Sequence, residues 1–340
     1  MGTFNPQYPS SSFVGMQPFL GEIFPGDANF NKLQRSVRQS ANLLQIAAEN
    51  RKNQAEASKL QDWADKLMGR KYNNDSCGSK LSFIKTVDGP KLIAANFCRV
   101  RCCPMCTSRR SAMWRAKAFR AYPELEKLNL RYLLLTLTVR NVPIYRLREF
   151  IDNTLSPASH KFMMSFKYKL GRLYRGYLRS FECTQTKHWI YNSHPHLHYM
   201  IAVEPDYFEK KYMEQSEFKE LWKRSLKADY DPIVSIEAVD YFERSPLEVL
   251  KYELKPADYV SDWHWFPEYA LQVSGVQRIS LAGVFRKHFN FLNRDGSLIS
   301  SDYDDDNRNF FKGKSGKKAK IYNFEWLEKG NNKQYCLRGA

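Results

Sequence analysis

Five of the seven cysteines in this 340-residue chain fall between residues 77 and 106, at Cys77, Cys98, Cys102, Cys103 and Cys106. That cluster constrains the local fold more than any other stretch, because thiols gathered so closely must hold a metal, oxidise, or pack as buried free groups. Seven cysteines in a chain of this size are too few for the disulfide scaffold of a secreted domain. Cys98-x4-Cys103-x2-Cys106, with Cys77 upstream in a Cys-Gly pair, offers four thiolates to a tetrahedral structural Zn2+. Cys103-Pro-Met-Cys106 is the firm half, since C-x-x-C brings two sulfurs together on a tight turn; Cys102 could replace Cys103, less naturally. A redox role is disfavoured by the lack of a thioredoxin-like βαβ context. Cys183 and Cys336 read as ordinary packing or surface residues.

The remainder of the composition narrows the partner. Hydrophobic residues make up 43% of the chain, enough to bury a core in one large domain or two modest ones. Lys and Arg outnumber Asp and Glu by 53 to 36, for a net charge of +17, which favours a polyanion such as nucleic acid or an anionic membrane surface. Against the membrane, no run of about 18 uncharged apolar residues occurs. The N-terminus lacks the basic-then-apolar order of a secretory signal, and Pro6 stands where myristoylation needs Ser or Thr. The expectation is a soluble cytoplasmic protein with no membrane partner.

Along the chain, residues 1–30 read as a flexible arm and 31–70 as helix, with Leu33, Val37, Leu43, Leu44 and Ile46 among Gln, Ala and Lys and no proline before Gly69. Residues 71–120 form the cysteine-rich segment, ending in a basic helix whose Arg109, Arg110, Arg115 and Lys117 are expected to meet DNA phosphates. From Tyr132 the pattern turns to strands, at 132–139, 177–186, 196–203 and 233–239, within a domain spanning 121–295. This predicts an α+β fold around a mostly antiparallel sheet with helices on one face. Residues 296–340 read as a charged tail.

Within those strands, His196 and His198 are spaced i, i+2 and project the same way, so both can reach one ion across the apolar Leu197. Two imidazoles leave room for a carboxylate, water and a phosphate oxygen around an octahedral Mg2+ or Mn2+. Glu182, on the 177–186 strand, is the candidate third ligand. A lone His-x-His is weak evidence, since chance surface pairs are common. His194 is expected to precede the strand, because Pro195 interrupts the pleat.

Downstream, Leu247, Leu250 and Leu254 repeat at i, i+3, i+7 and predict an amphipathic helix that Ser245 can cap. Glu248, Tyr252 and Lys255 stack beside that stripe at spacings of four and three. A phenol with a pKa of about 10 needs a polarised phosphate and nearby positive charge to attack, and Lys255 supplies such a charge. The bland alternative is an ordinary exposed helix face. Pro256 ends or kinks this helix, so Tyr259 is read as structural.

Taken in order, LLLTLTVRNV (133–142), GYLRSFECTQT (176–186) with HPHLHYMIAV (194–203), and EVLKYELKPAD (248–258) resemble the three motifs of rolling-circle plasmid replication initiators, members of the His-hydrophobe-His endonucleases. NFCRVRCCPMCTSRRSAMW (96–114) and GVQRISLAGVFRKHF (275–289) resemble flanking segments of the one-tyrosine bacterial plasmid branch, so the likeness covers residues 77–290. It implies Tyr252 as nucleophile, a catalytic metal on His196 and His198, and Glu248 as the group that activates water to end replication. His194 stands where Asn or Gln is more usual, and Cys102 is an added cysteine.

The function implied is nicking of a plasmid double-strand origin opened to single-stranded DNA, through a 5′-phosphotyrosyl link, with the freed 3′-OH as primer. Host helicase, DNA polymerase and single-strand binding protein are the implied partners; monomer and homodimer both fit. Exchange of one ester for another needs no nucleotide triphosphate, in keeping with the lack of a GxxxxGK[ST] loop. The rival readings are a relaxase or single-strand transposase of the same chemistry, and a non-catalytic zinc-containing DNA-binding regulator.

Overall fold

The protein is described here by a computed structural model covering residues 28–69, 77–86, 89–186, 191–239, 265–294, 321–329 and 332–338. Its longer helices are α1 (Ala28–Glu49), α2 (Gln54–Leu67), α3 (Pro104–Glu126), α4 (Ser156–Leu170), α5 (Gln215–Leu226), α6 (Phe266–Gln272) and α7 (Val284–Arg294). The strands are β1 (Lys80–Thr86), β2 (Gly89–Ala95), β3 (Arg131–Thr138), β4 (Val142–Pro143), β5 (Tyr174–Gln185), β6 (Asn192–Val203), β7 (Val234–Val239), β8 (Ile279–Gly283), β9 (Ile321–Lys329) and β10 (Asn332–Arg338). Two compact units result, one of residues 1–45, 61–113 and 299–340, the other of 46–60 and 114–298.

The N-terminal helical stretch is two helices rather than one. Asn53 accepts hydrogen bonds at its Oδ1 from the backbone N–H of Ala55 and Glu56, at 3.0 and 3.3 Å, and so starts α2. Asn50 donates back to the Ile46 carbonyl at 2.8 Å at the end of α1. Asparagine satisfies exposed helix-end groups that the apolar periodicity does not register.

In the first unit the β1–β2 hairpin is extended by the chain's last strands, in the antiparallel order β10-β9-β1-β2. The segment expected as a charged tail therefore contributes half of this sheet. Ile321, Tyr322, Phe324, Trp326 and Tyr335 are strand formers, and the charges expected to mark a tail lie mostly upstream of Ile321.

The second unit is an antiparallel sheet of order β7-β3-β6-β5-β8, with β4 also paired to β6. The expected α+β class and the expected strands are present. Strand β6 is central and buried on both faces along its Leu197–Val203 half. Leu197, Tyr199, Ile201 and Val203 join Phe162, Phe166, Phe218 and Trp222 of α4 and α5 in one core. The ring of Phe162 meets Trp222 edge-on at 5.8 Å and Phe166 meets Phe218 at 5.4 Å. Helices reach the other face too, beyond the expected single-sided cover: Met200 and Ala202 pack with Leu178, with Ala118, Ala121 and Leu125 of α3, and with Phe285 and Phe289 of α7. At the sheet edge a Cβ on Gly283 would lie 2.0 Å from the Arg175 carbonyl oxygen, so only glycine lets β8 approach β5 there.

Candidate metal centres

The cysteine centre is assembled from a loop and a helix start. Cys77 precedes Gly78, whose φ of +78° turns the chain. Cys98 follows β2. Cys103 closes a turn through its N–H to the Val100 carbonyl at 3.1 Å and then accepts at its own carbonyl from Thr107. Pro104 opens α3, where its fixed φ suits a first helical position and its missing N–H costs nothing.

The sulfurs of Cys77, Cys98, Cys103 and Cys106 all lie within 4.8 Å of one another and all four residues are buried. Cys77 and Cys98 each bring Sγ to 3.5 Å from that of Cys106, and the Cys98 N–H donates to the Cys77 sulfur at 3.4 Å. Tetrahedral zinc with Zn–S bonds of about 2.3 Å spaces its sulfurs by roughly 3.8 Å, so the four fit that ion. Cys102, half-buried, stands outside the group and Cys103 takes the disputed place.

Charge is unevenly spread over this centre. Contacts from the Cys103 and Cys106 thiols, more than burial, push Cys77 well above the ordinary thiol range, and burial does the same to Cys98. Cys106 is held well below it, first by the Cys103, Cys77 and Cys98 thiols that donate to it and lastly by Arg110. Its place in the first turn of α3 favours the thiolate as well.

The histidines lie on β6. Register puts Glu182 of β5 and Thr138 of β3 opposite His196, and Ser180 and Thr136 opposite His198, so all six share one face. His198 is buried, with Nε2 at 3.0 Å from Oε2 of the buried Glu182 and Nδ1 at 3.1 Å from the Thr136 hydroxyl. The His198–Glu182 contact has the length of a hydrogen bond, and among the described residues only the four cysteines form a group of three or more possible metal ligands. The His196 ring is inclined 28° to that of His198 with centroids 5.9 Å apart.

Contrary to expectation, β6 runs without interruption through Pro195, and His194 pairs with Thr184. The missing N–H is tolerated because antiparallel ladders leave alternate groups outside the pairing on a given side. His194 meets His196 edge-on at 4.2 Å and the Asn141 side chain at 2.6 Å, and burial lowers its pKa.

The other expected residues distribute differently. Tyr252, Glu248 and Lys255 lie outside the described residues, as do the side chains of Arg109 and Arg115. Arg110 turns back to the Arg101 carbonyl at 3.0 Å and to the Thr107 hydroxyl. Lys117 is buried with its ammonium 4.9 Å from the Trp114 ring, and burial lowers its pKa. Thr136 was not singled out from sequence, though it stands inside LLLTLTVRNV; only the β3–β6 register shows which of that strand's two threonines meets His198.

A central antiparallel strand whose His198 meets a buried carboxylate, together with four cysteines close enough to hold a metal, defines the class of this α+β protein. Comparison with known proteins makes it particular. The profile of the Replication protein family matches residues 89–336. Protein rep of Streptococcus pneumoniae serotype 2 is 35% identical over 193 residues, covering 54% of this chain and 59% of that one. Protein rep of a Bacillus species is 36% identical over 189 residues, with the same two shares. Protein rep of Lentilactobacillus hilgardii is 31% identical over 249 residues, covering 67% of this chain and 78% of that one. The chain thus spans 59% of the length of the first two. No solved structure matches. The chain belongs to the Replication protein family.

Proposed function

We propose that this chain initiates rolling-circle replication of a plasmid by nicking origin DNA and transferring the strand through Tyr252. The observation that carries the reading is the Glu182 carboxylate set 3.0 Å from His198 on the face shared with His196, in a chain of the Replication protein family. His196, His198 and Glu182 would hold Mg2+ or Mn2+, which when bound polarises a phosphodiester. The phenolic oxygen of Tyr252 attacks phosphorus, the P–O3′ bond breaks, and the proton lost by the phenol is balanced by one gained at O3′. A 5′-phosphotyrosyl link and a free 3′-OH result, and one ester has replaced another.

Lys255 lies three residues beyond Tyr252 in sequence and would favour the phenolate. Glu248 would take a proton from water when a second junction is cleaved, releasing the protein. Cys77, Cys98, Cys103 and Cys106 would hold structural zinc. Arg109, Arg110, Arg115 and Lys117 stand as the proposed phosphate contacts, with Lys117 the weakest because it is buried. Host helicase, polymerase and single-strand binding protein would extend the primer in the cytoplasm. Among the described residues no helix is long and apolar enough to cross a membrane.

The test is a covalent adduct between the protein and an origin oligonucleotide that survives SDS and requires divalent metal. Tyr252→Phe should bind DNA and form no adduct, and His196→Ala with His198→Ala should lose metal-dependent cleavage while keeping duplex binding. No adduct from wild type under any divalent ion would leave the zinc-containing DNA-binding regulator as the better account.

A further inference from the structure

The outward face of α4 has no role in the chemistry above, yet its composition is unusual. From Ser156 to Arg172 the chain carries Lys161, Lys167, Lys169 and Arg172 and no acidic residue. The inward stripe of Ala158, Ser159, Phe162, Met163, Phe166 and Leu170 is buried. The Ser159 hydroxyl, 2.7 Å from the Tyr199 hydroxyl, ties the helix to the sheet face opposite the histidines. His160, Lys161, Met164, Lys167 and Tyr168 therefore point away from the core together, at spacings of three, four and seven.

Two of these are apolar groups in water: Tyr168 is 91% exposed and Met164 53%. Among the described residues Tyr168 has no ring or hydrogen-bond partner, and Lys161 and Lys167 meet no carboxylate. Lys169 does, pairing with Glu217 at 2.5 Å, and it is left out of the argument. Beyond the helix end, Lys211 donates to the Lys169 carbonyl at 3.0 Å and precedes Tyr212, itself 60% exposed. Cations thus flank the exposed Tyr168 ring along this ridge, while the Tyr212 ring lies against Tyr207 and Phe208.

We infer that this ridge binds single-stranded DNA, with Lys161 and Lys167 on phosphates and Tyr168 stacked on a base. The choice of DNA rests on the replication reading above; the choice of single strand rests on the ridge itself. A duplex offers a helix phosphates and base edges but keeps its base faces stacked, whereas unpaired bases offer a flat surface on which the exposed Tyr168 ring can stack. The ridge lies on the other side of the sheet from His196 and His198, so it holds DNA away from the point of cleavage.

The experiment is anisotropy of a labelled oligothymidylate, which lacks an origin sequence, titrated with the full chain at several salt concentrations. Lys161→Ala with Lys167→Ala should flatten the slope of log affinity against log salt by roughly 1.4, since two phosphate contacts are removed at about 0.7 each on a single strand. Tyr168→Ala should weaken binding about tenfold, and Tyr168→Phe, which keeps the ring, should restore it. Unchanged slope and affinity in these variants, with circular dichroism unaltered, overturns the inference. So does an equal loss on a duplex of the same length. Adduct formation on a short origin oligonucleotide, assayed separately at saturation, should stay at the wild-type level in the α4 variants. Its absence in wild type would defeat the Tyr252 mechanism and leave the oligothymidylate result standing.

Discussion

His198 is gripped from two sides, by Glu182 at Nε2 and by the Thr136 hydroxyl at Nδ1. A hydroxyl can donate or accept, so Thr136 holds the ring whether Nδ1 carries the proton or Nε2 does. If Nε2 binds metal, Nδ1–H must donate outward, and the threonine oxygen is there to receive it. Thr136→Val, equal in shape but without the acceptor, should lower Mn2+ affinity about tenfold or more, read by isothermal titration, and Thr136→Ser should stay near wild type. Equal affinity in the valine variant would show that the hydroxyl does not orient the ligand. On the proposed function, Glu248 acts in a later step. Glu248→Ala should still nick and form the tyrosyl adduct but stop poorly, giving products longer than one plasmid unit in a replication assay; loss of initiation and termination together would make it a metal ligand instead. The histidine pair was legible because a strand's period of two needs only the sequence, whereas Thr136 needed the register of a partner strand 62 residues away.

At the scale of elements, the start of α3 is the most chemically loaded helix end among those described. It places Cys106 in its first turn, and Cys106 is the one thiol of the centre held well below the ordinary range, while Cys77 and Cys98 are held above it. Zinc requires thiolates. Raised thiols must therefore give up protons on binding, and affinity should fall as pH falls. Cys106, held below the ordinary thiol range, should be the first thiol of the centre to stop contributing a proton as the reduced, metal-free chain is loaded at rising pH. A pH indicator in weak buffer counts the protons released, and a release that does not fall as pH rises would contradict the charge distribution. Cys-x-x-Cys announced this turn in the sequence. The strand through Pro195 was not announced, because a proline's cost depends on whether its missing N–H faces a partner, and sequence alone does not say which side of the ladder it is on.

For the molecule as a whole, the sheet beside the cysteine centre is closed by the end of the chain. Strand β1 is held by β2 on one side and β9 on the other, and Lys80 reaches Glu325 at 3.6 Å. Deleting residues 321–340 would leave β1 and β2 as a lone hairpin, which is marginal in water. Amide exchange in Lys80–Thr86 should then accelerate by orders of magnitude and zinc retention should drop. Exchange in the β3–β6–β5 ladder should change little, since every strand of that sheet comes from residues 131–283. Protection unchanged at β1 would mean that β9 adds nothing to its stability.

The sequence by itself determined the elements whose cause is local. Apolar alternation specified β3, β5, β6 and β7, thiol spacing specified the four-cysteine group, and i, i+2 spacing put His196 and His198 on one face. Only the tertiary structure decided what depends on distant partners: that β9 and β10 complete the first sheet, that β6 is central with helices over both faces, and that Glu182 and Thr136 converge on His198. The physical reason is range. A strand's period and a turn's ligand spacing are set by neighbours a few residues apart, whereas strand order and register are set by which apolar surfaces bury one another across the chain.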